Sequence, residues 1–232
     1  MLTEDNLSKW FSIIDQKPVI HKAVVDITIP KVAKVVSNSC IHHPGFMRDK
    51  LFWSFFIVVE GVDKYMQAKE KIFRFETDFK YSSALKIKDK TSTLKTLKMK
   101  SLEIESELVT SKHITIPIFH SLTIAHNKSI IYVHDLIYYD FSYGDEYFLI
   151  ERKKDDVFLH TGDVTDKIID IRKNLFNIDK TKTKHIGSIS SYTAKELHSI
   201  ADKLKIEKTV SNKPLTKPLL YAEIVIKLGK LT

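Results

Sequence analysis

The chain has a single cysteine, Cys40, among 232 residues, so no intramolecular disulfide framework holds it and its composition fits a reducing compartment. Glycine is scarce and dispersed, with six residues and neither a GxGxxG nor a GxxxxGKS/T pattern. That removes the two common glycine-loop routes to a nucleotide phosphate. The first residues, MLTEDNLSKW, are acidic and polar where a secretory leader would be basic and then apolar, so no leader is expected. Long apolar runs are missing too. The most apolar stretch, LFWSFFIVV from Leu51 to Val59, is far shorter than the roughly 20 residues that cross a bilayer. Bounded by Arg48, Asp49, Lys50 and Glu60, it reads as a buried core helix. Arginine is almost absent: Arg48, Arg74, Arg152 and Arg172 are the only four among 37 basic residues.

What remains is a lysine-rich chain of formal charge +8, with 43% hydrophobic residues, enough for a real core. The positive field suits a polyanionic partner. Lysine acts as a point charge, whereas bidentate contacts to phosphates and base edges favour arginine. The same excess also follows from a composition rich in Lys and Ile throughout, so the charge admits a polyanion without specifying one.

Hydrophobic spacing organises the chain. Thr3 caps an expected N-terminal helix whose Leu7, Trp10, Phe11 and Ile14 share a face, and Val19 to Val36 suggests a strand followed by a short helix. Turn chemistry at His43-Pro44-Gly45 precedes a strongly apolar helix from Phe46 to Gly61. Helical spacing continues from Tyr65 to Phe79 through Ile72 and Phe75. Residues Lys80 to Lys100 hold seven lysines and one acid, Asp89, and are expected as a solvated loop. Helical patterns return through Leu94, Leu97, Leu102, Ile104 and Leu108, and from Ile118 to Ala125. The period then changes. SIIYVHD, LIYYDF, EYFLIER and DVFLHTGD are short strands separated by turns, which predicts a small antiparallel meander packed on the helices. Helices first and strands later give an α+β class for a body spanning residues 1–176. Val164 to Phe176 suggests one more helix, and residues 177–191 read as a basic, Gly/Ser-containing linker.

The tail, residues 192–232, is the most explicit part. Thr193 and Glu196 have capping-box spacing, and Leu197, Ile200, Ala201 and Leu204 mark one helical face. After an extended polar connection, Thr216 can cap a second helix with Pro218 in its first turn and Gly229 at its end. Leu220, Ile224 and Leu228 form its apolar stripe, widened by Tyr221 and Val225. Each helix is too short to be stable alone, so the two are expected to pack on each other, with Ile206 between them.

The pattern T-x-x-E-L-x-x-I-A-x-x-L-x-I from Thr193 to Ile206, followed by T-K-x-x-L-Y-x-x-I from Thr216 to Ile224, resembles the SAP-type helix–extended-loop–helix module of many DNA-binding proteins. No glycine lies between Ile206 and Leu219, where that family usually has one. The resemblance implies backbone-dominated contact with DNA through basic residues near the helix N-termini and loop. The matching positions are Lys195, Lys205, Lys208, Lys213 and Lys217. The whole chain also resembles uncharacterised proteins of large cytoplasmic DNA viruses. That likeness implies a virus-encoded protein of the host cytoplasm or virion; without it, the composition implies an intracellular protein of cytoplasm or nucleus.

Other chemistry is less defined. Cys40, His42 and His43 form the densest group of potential metal ligands, but zinc wants a second ligand pair, and His113, His120, His126, His134 and His160 are scattered singly. A buried cysteine beside two exposed histidines is the expectation there. Asp135, Asp140 and Asp145 fall at expected strand ends and read as turn residues. Lys86, Lys88, Lys90, Lys95 and Lys98 are secondary nucleic-acid candidates, with Phe79 and Tyr81 beside them as stacking surfaces. The expected function is therefore non-enzymatic, sequence-tolerant DNA binding by the tail, with the body as an interaction or scaffold domain and no cofactor or membrane partner. Two alternatives stand beside it: a virion structural or assembly protein whose tail docks on protein, and a nucleic-acid-processing enzyme whose site forms only in three dimensions.

Overall fold

The computed structural model describes residues 40–45, 47–179, 185–210 and 213–231. The expectations for residues 3–14 and 19–36 lie outside them. After an edge strand, β1 (Cys40–His42), the apolar run forms α1 (Lys50–Glu60), in which Phe52 through Val58 are all buried. Asp49 starts this helix. Its Oδ1 accepts the Phe52 N–H at 3.0 Å, and its Oδ2 accepts the Ile114 N–H at 2.5 Å. One buried carboxylate thus caps α1 and ties it to a chain segment 65 residues away. Burial pushes the Asp49 pKa above the usual carboxylate range, against the pull of those two donors.

Gly61 ends α1 and begins α2 (Val62–Ala68) with φ 87° and ψ 167°, a conformation open to glycine and costly for other residues. A short break then leads to α3 (Ile72–Asp89). The lysine-rich stretch from Lys80 onward, expected as a solvated loop, is helical instead. It completes α3 and continues as α4 (Thr91–Thr96), followed by α5 (Ser101–Thr110). Lysine propagates a helix well, and Phe79, Ser83 and Ile87 supply the buried stripe that holds α3 down. Lys80 itself is buried. It donates to the Ser111 carbonyl at 2.8 Å and pairs with Glu76 at 2.7 Å, fastening α3 to the end of α5. The rings of Phe52, Phe55 and Phe56 on α1 all meet Phe79 on α3, at centroid distances of 5.7, 6.2 and 5.1 Å. Next, α6 (Ile116–Ala125) places Phe119 against Phe55, Tyr132 and Phe141.

The four expected strands are present as β2 (Ser129–His134), β3 (Ile137–Phe141), β4 (Tyr147–Lys153) and β5 (Asp156–His160). Their arrangement is not an antiparallel meander. The sheet is mixed, in the order β1-β5-β4-β2-β3-β6, where β6 is Phe176–Asn177, and β4 runs parallel to β2 while β6 runs parallel to β3. Residues 142–146 must therefore carry the chain from the end of β3 across the start of β2. Ser129 organises that crossing: its Oγ accepts the N–H groups of Tyr143 and Gly144, both at 2.8 Å, and donates to the Gly144 carbonyl at 2.7 Å. The approach is close enough that a Cβ on Gly144 would lie 2.3 Å from the Asn127 carbonyl oxygen.

Alternation along the strands then divides the apolar residues between two faces. Ile130, Tyr132, Ile137, Tyr139, Phe141 and Ile150 join the helical core. Ile131, Val133, Tyr138 and Leu149 face the other way and are covered by Val164 and Ile168, at the start and within α7 (Thr165–Asn174). The body passes into the tail without losing this core. Of residues 177–191, expected as a linker, Ile178 is buried and bonds through its N–H to the Tyr138 carbonyl at 2.9 Å, and Ile186 is also buried. Both belong to the apolar cluster that includes Leu197, Ala201 and Ile224 of the tail helices.

Two imidazoles, His43 fully buried and His126 half-buried, couple the fold to pH. His43 lies between the Tyr65 hydroxyl on Nδ1 and the Ser54 hydroxyl on Nε2, both at 2.8 Å. Ser54 donates its own proton to the Lys50 carbonyl at 2.9 Å, so the Nε2–H donates to Ser54 and Nδ1 accepts from Tyr65. Burial, with the charges of His42, Lys50 and Lys69, pushes the His43 pKa down from 6.5 to about 4. His126 stacks on Phe79 at 5.4 Å and bonds Ser83 at 2.9 Å, and burial likewise lowers it to about 4. Both rings are neutral when folded, so on acidification the unfolded chain takes up these protons first. Their contribution is complete above pH 6.5 and is lost as pH falls toward 4. For His43 the loss amounts to about 3 kcal/mol. Urea unfolding followed from about pH 7.5 to about pH 4.5 should show that decline, and His126→Gln should flatten part of it. Separately, Gly144→Ala should cost at least about 2 kcal/mol in the same measurement at neutral pH, since backbone must shift to admit the methyl group.

Candidate nucleic-acid interface

The capping box forms as its spacing predicts. Thr193 Oγ1 accepts the Glu196 N–H at 3.2 Å, and Glu196 Oε2 accepts the Thr193 N–H at 2.7 Å, which starts α8 (Ala194–Lys203). These bonds to Thr193, with the charge of Lys217 nearby, hold the Glu196 pKa below its usual value. Leu197, Ala201 and Leu204 are buried, and Ile200 is half-buried. The helix ends in a full Schellman arrangement: Ile206 N–H donates to Ala201 O at 2.9 Å and Lys205 N–H to Asp202 O at 3.1 Å. Lys205 occupies the left-handed position of this cap, with φ 54°, where glycine is the usual occupant.

The connection is extended, as expected, and folds on itself as β7 (Thr209–Val210) paired with β8 (Lys213–Pro214). The second helix, α9 (Lys217–Leu231), buries Leu220, Ile224 and Leu228, as the stripe predicts. It does not stop at Gly229. That glycine is exposed within the helix, where it costs only about 1 kcal/mol relative to alanine, too little to end a helix whose stripe is packed. A feature the spacing did not announce locks the pair together. Tyr221 on α9 donates its hydroxyl proton to the Gly187 carbonyl at 2.8 Å, while the Tyr192 hydroxyl accepts the Gly187 N–H at 3.0 Å. One peptide segment before α8 is thus clamped by two tyrosines, and α9 is tied to the chain leading into α8. The tail also touches the body, where Lys203 donates to the Arg172 carbonyl at 3.4 Å.

The five expected contact residues are not equivalent. Lys195 lies in the first turn of α8 and Lys217 at the first position of α9, and both are exposed. Lys205 is exposed at the other end of α8. None of these three makes an ion pair among the described residues. Lys208 is half-buried and paired with Asp202, so part of its charge is already used. Lys213 lies in β8. The secondary group is split between helices, with Lys86 and Lys88 in the last turn of α3, Lys90 between α3 and α4, Lys95 on α4 and Lys98 in its C-terminal cap at φ 59°. All five are exposed. Of the two rings offered as stacking surfaces, Tyr81 is exposed and Phe79 is buried in the core.

The remaining candidates do not converge. Cys40 is exposed and His43 fully buried, the reverse of the expectation. Cys40 sits on an edge strand, and His43 finds a partner for each ring nitrogen, so its burial leaves no polar atom unmatched. His42 lies beside Asp156 at 3.4 Å, His120 bonds Tyr143 at 2.6 Å, and Asp140 accepts from Arg172 at 2.8 Å. Asp135 occupies the β2–β3 turn with φ 53°. Among the described residues no three His, Cys, Asp or Glu side chains come together where they could hold a metal ion, and no helix is long and apolar enough to cross a membrane. Comparison with family models, curated proteins and solved structures finds no match to this chain.

Two substitutions separate folding from charge in the tail. Lys205→Gly should raise stability by about 0.5 to 1 kcal/mol by relieving the left-handed backbone. Thr193→Ala should lower it by about 1 kcal/mol through loss of the cap. Chemical denaturation of the full chain measures both.

Proposed function

We propose that the C-terminal helical pair binds the phosphate backbone of DNA without reading its sequence, and that the body serves as an interaction or scaffold domain. The observation that carries this reading is the set of exposed ammonium groups at Lys195, Lys205 and Lys217, which make no ion pair among the described residues, on a capped and cross-clamped helical pair. Lys195 and Lys217 sit in first turns, where the positive end of the helix dipole adds to the charge. Lysines suit this task because backbone binding needs point charges, whereas base-edge readout favours arginine.

A second reading, a virion structural or assembly role, is favoured by the outer surface of α3. Phe73, Tyr81 and Leu85 are 84%, 58% and 67% exposed there, and Leu102 on α5 is 80% exposed. Side chains of that size in solvent suit a protein contact by the body. The two readings are compatible, since they use different surfaces.

A salt titration on full-length protein tests the first. Affinity for long duplex DNA should fall steeply with salt, with a log–log slope of about −0.9 per phosphate neutralised. Exchanging Lys195, Lys205 and Lys217 together for glutamine should weaken binding about tenfold or more at low salt and reduce the slope. Salt-independent binding, or an unchanged slope in the triple variant, would remove the proposal.

A further inference from the structure

Two of the four arginines, Arg48 and Arg152, line one cavity of about 370 Å³ between the start of α1 and the β4–β5 hairpin. We propose that this cavity is a binding site for a phosphomonoester. The site is distinct from the tail lysines and rests on none of them.

Each wall contributes differently. Arg48 is exposed beside the first turn of α1 and makes no ion pair among the described residues. Arg152 lies opposite, on β4, with its Nε–H donating to the Lys154 carbonyl at 3.2 Å, and Tyr132 of β2 lines the same space. That bond engages one of the five N–H groups of the guanidinium and leaves the others for a ligand. Lys50 is turned away from the role of direct donor, because it pairs with Asp156 and donates to the Asp155 carbonyl at 3.3 Å. It holds the hairpin turn, and with it the β4–β5 wall of the cavity, against the start of α1. His113, exposed at the rim, brings another nitrogen to the mouth.

Two carboxylates also line the space. Asp49, in the floor, has each oxygen engaged by a backbone N–H, and its burial disfavours the charged form. Asp155 lies at the rim and is exposed to solvent. The lining therefore joins an arginine from each side with one tyrosine, against a single solvent-exposed carboxylate at the rim. Paired arginines match the oxygens of a terminal phosphate bidentately, which lysines do not. A cavity of this size takes one nucleotide-sized molecule or a strand end. It does not take a continuous duplex.

Calorimetry at constant ionic strength tests this, using full-length protein that carries glutamine at positions 195, 205 and 217 so that the tail proposal is not read at the same time. The probes are inorganic phosphate, a nucleoside 5′-monophosphate, the corresponding nucleoside, and one oligonucleotide with either a 5′-phosphate or a 5′-hydroxyl end. The monophosphate should bind and the nucleoside should not. Arg48→Ala with Arg152→Ala should weaken binding about tenfold or more, and the double lysine exchange by a smaller factor, because charge survives while bidentate geometry is lost. Both arginines are exposed, so circular dichroism should show an unchanged fold. Inorganic phosphate binding as tightly as the nucleotide supports the site and assigns it to the free ion. Preference for the 5′-phosphorylated oligonucleotide supports it and assigns it to strand ends. Equal binding of nucleoside and monophosphate, binding unchanged in the double alanine variant, or no binding of any phosphate probe overturns it.

Discussion

The hydroxyl of Ser129 is a small group on which the whole sheet depends. It holds the 142–146 segment as that segment crosses the start of β2, and the crossing makes β4 a parallel neighbour of β2 rather than an antiparallel neighbour of β3. Ser129 is fully buried, so its three bonds to Tyr143 and Gly144 replace water at a place where unmade bonds would be costly. From that crossing follows the position of the β4–β5 hairpin, and with it the place where Arg152 comes to line one cavity with Arg48 and where Lys50 pairs with Asp156. Glycine at 144 is the steric condition for the arrangement.

The helical side is organised around a helix with almost no solvent-facing surface. Because Phe52 through Val58 are all buried, α1 needs neighbours on every side, and α2, α3, α6 and β5 provide them. Its polar requirements are met at its start, where Asp49 accepts two backbone donors and His43 is matched by Ser54 and Tyr65. These buried polar groups make the region sensitive to acid, since a proton on His43 would have to enter a space arranged for a neutral ring.

In the tail, local chemistry and tertiary packing support each other. The cap at Thr193 and the Schellman turn at Lys205 satisfy backbone groups that a short helix leaves open, and the tyrosine clamp on Gly187 fastens the loop before α8 to α9. The left-handed Lys205 is informative. Its backbone strain persists because Leu204 and the returning chain are packed, and the strain leaves an ammonium group projecting where the helix ends. Lys208 shows the opposite case, a charge of the same type already engaged by Asp202.

Periodicity alone determined the apolar helix α1, the four main strands, the capping box at Thr193 and the stripe Leu220–Ile224–Leu228, because each is a short-range pattern with one physical solution. It determined the α+β class for the same reason. It could not determine strand order, because alternation is identical whether a strand pairs parallel or antiparallel; the Ser129 crossing decided that. Nor could charge spacing tell a solvated loop from the lysine-faced helix that α3 became, since the deciding contact is Phe79 against three rings of α1. Of the candidate sites, the tail lysines were legible because the motif around them is local. The pairing of Arg48 with Arg152 was not, although the rarity of arginine marked both: 104 positions separate them in the chain, and only tertiary packing brings their side chains to one cavity.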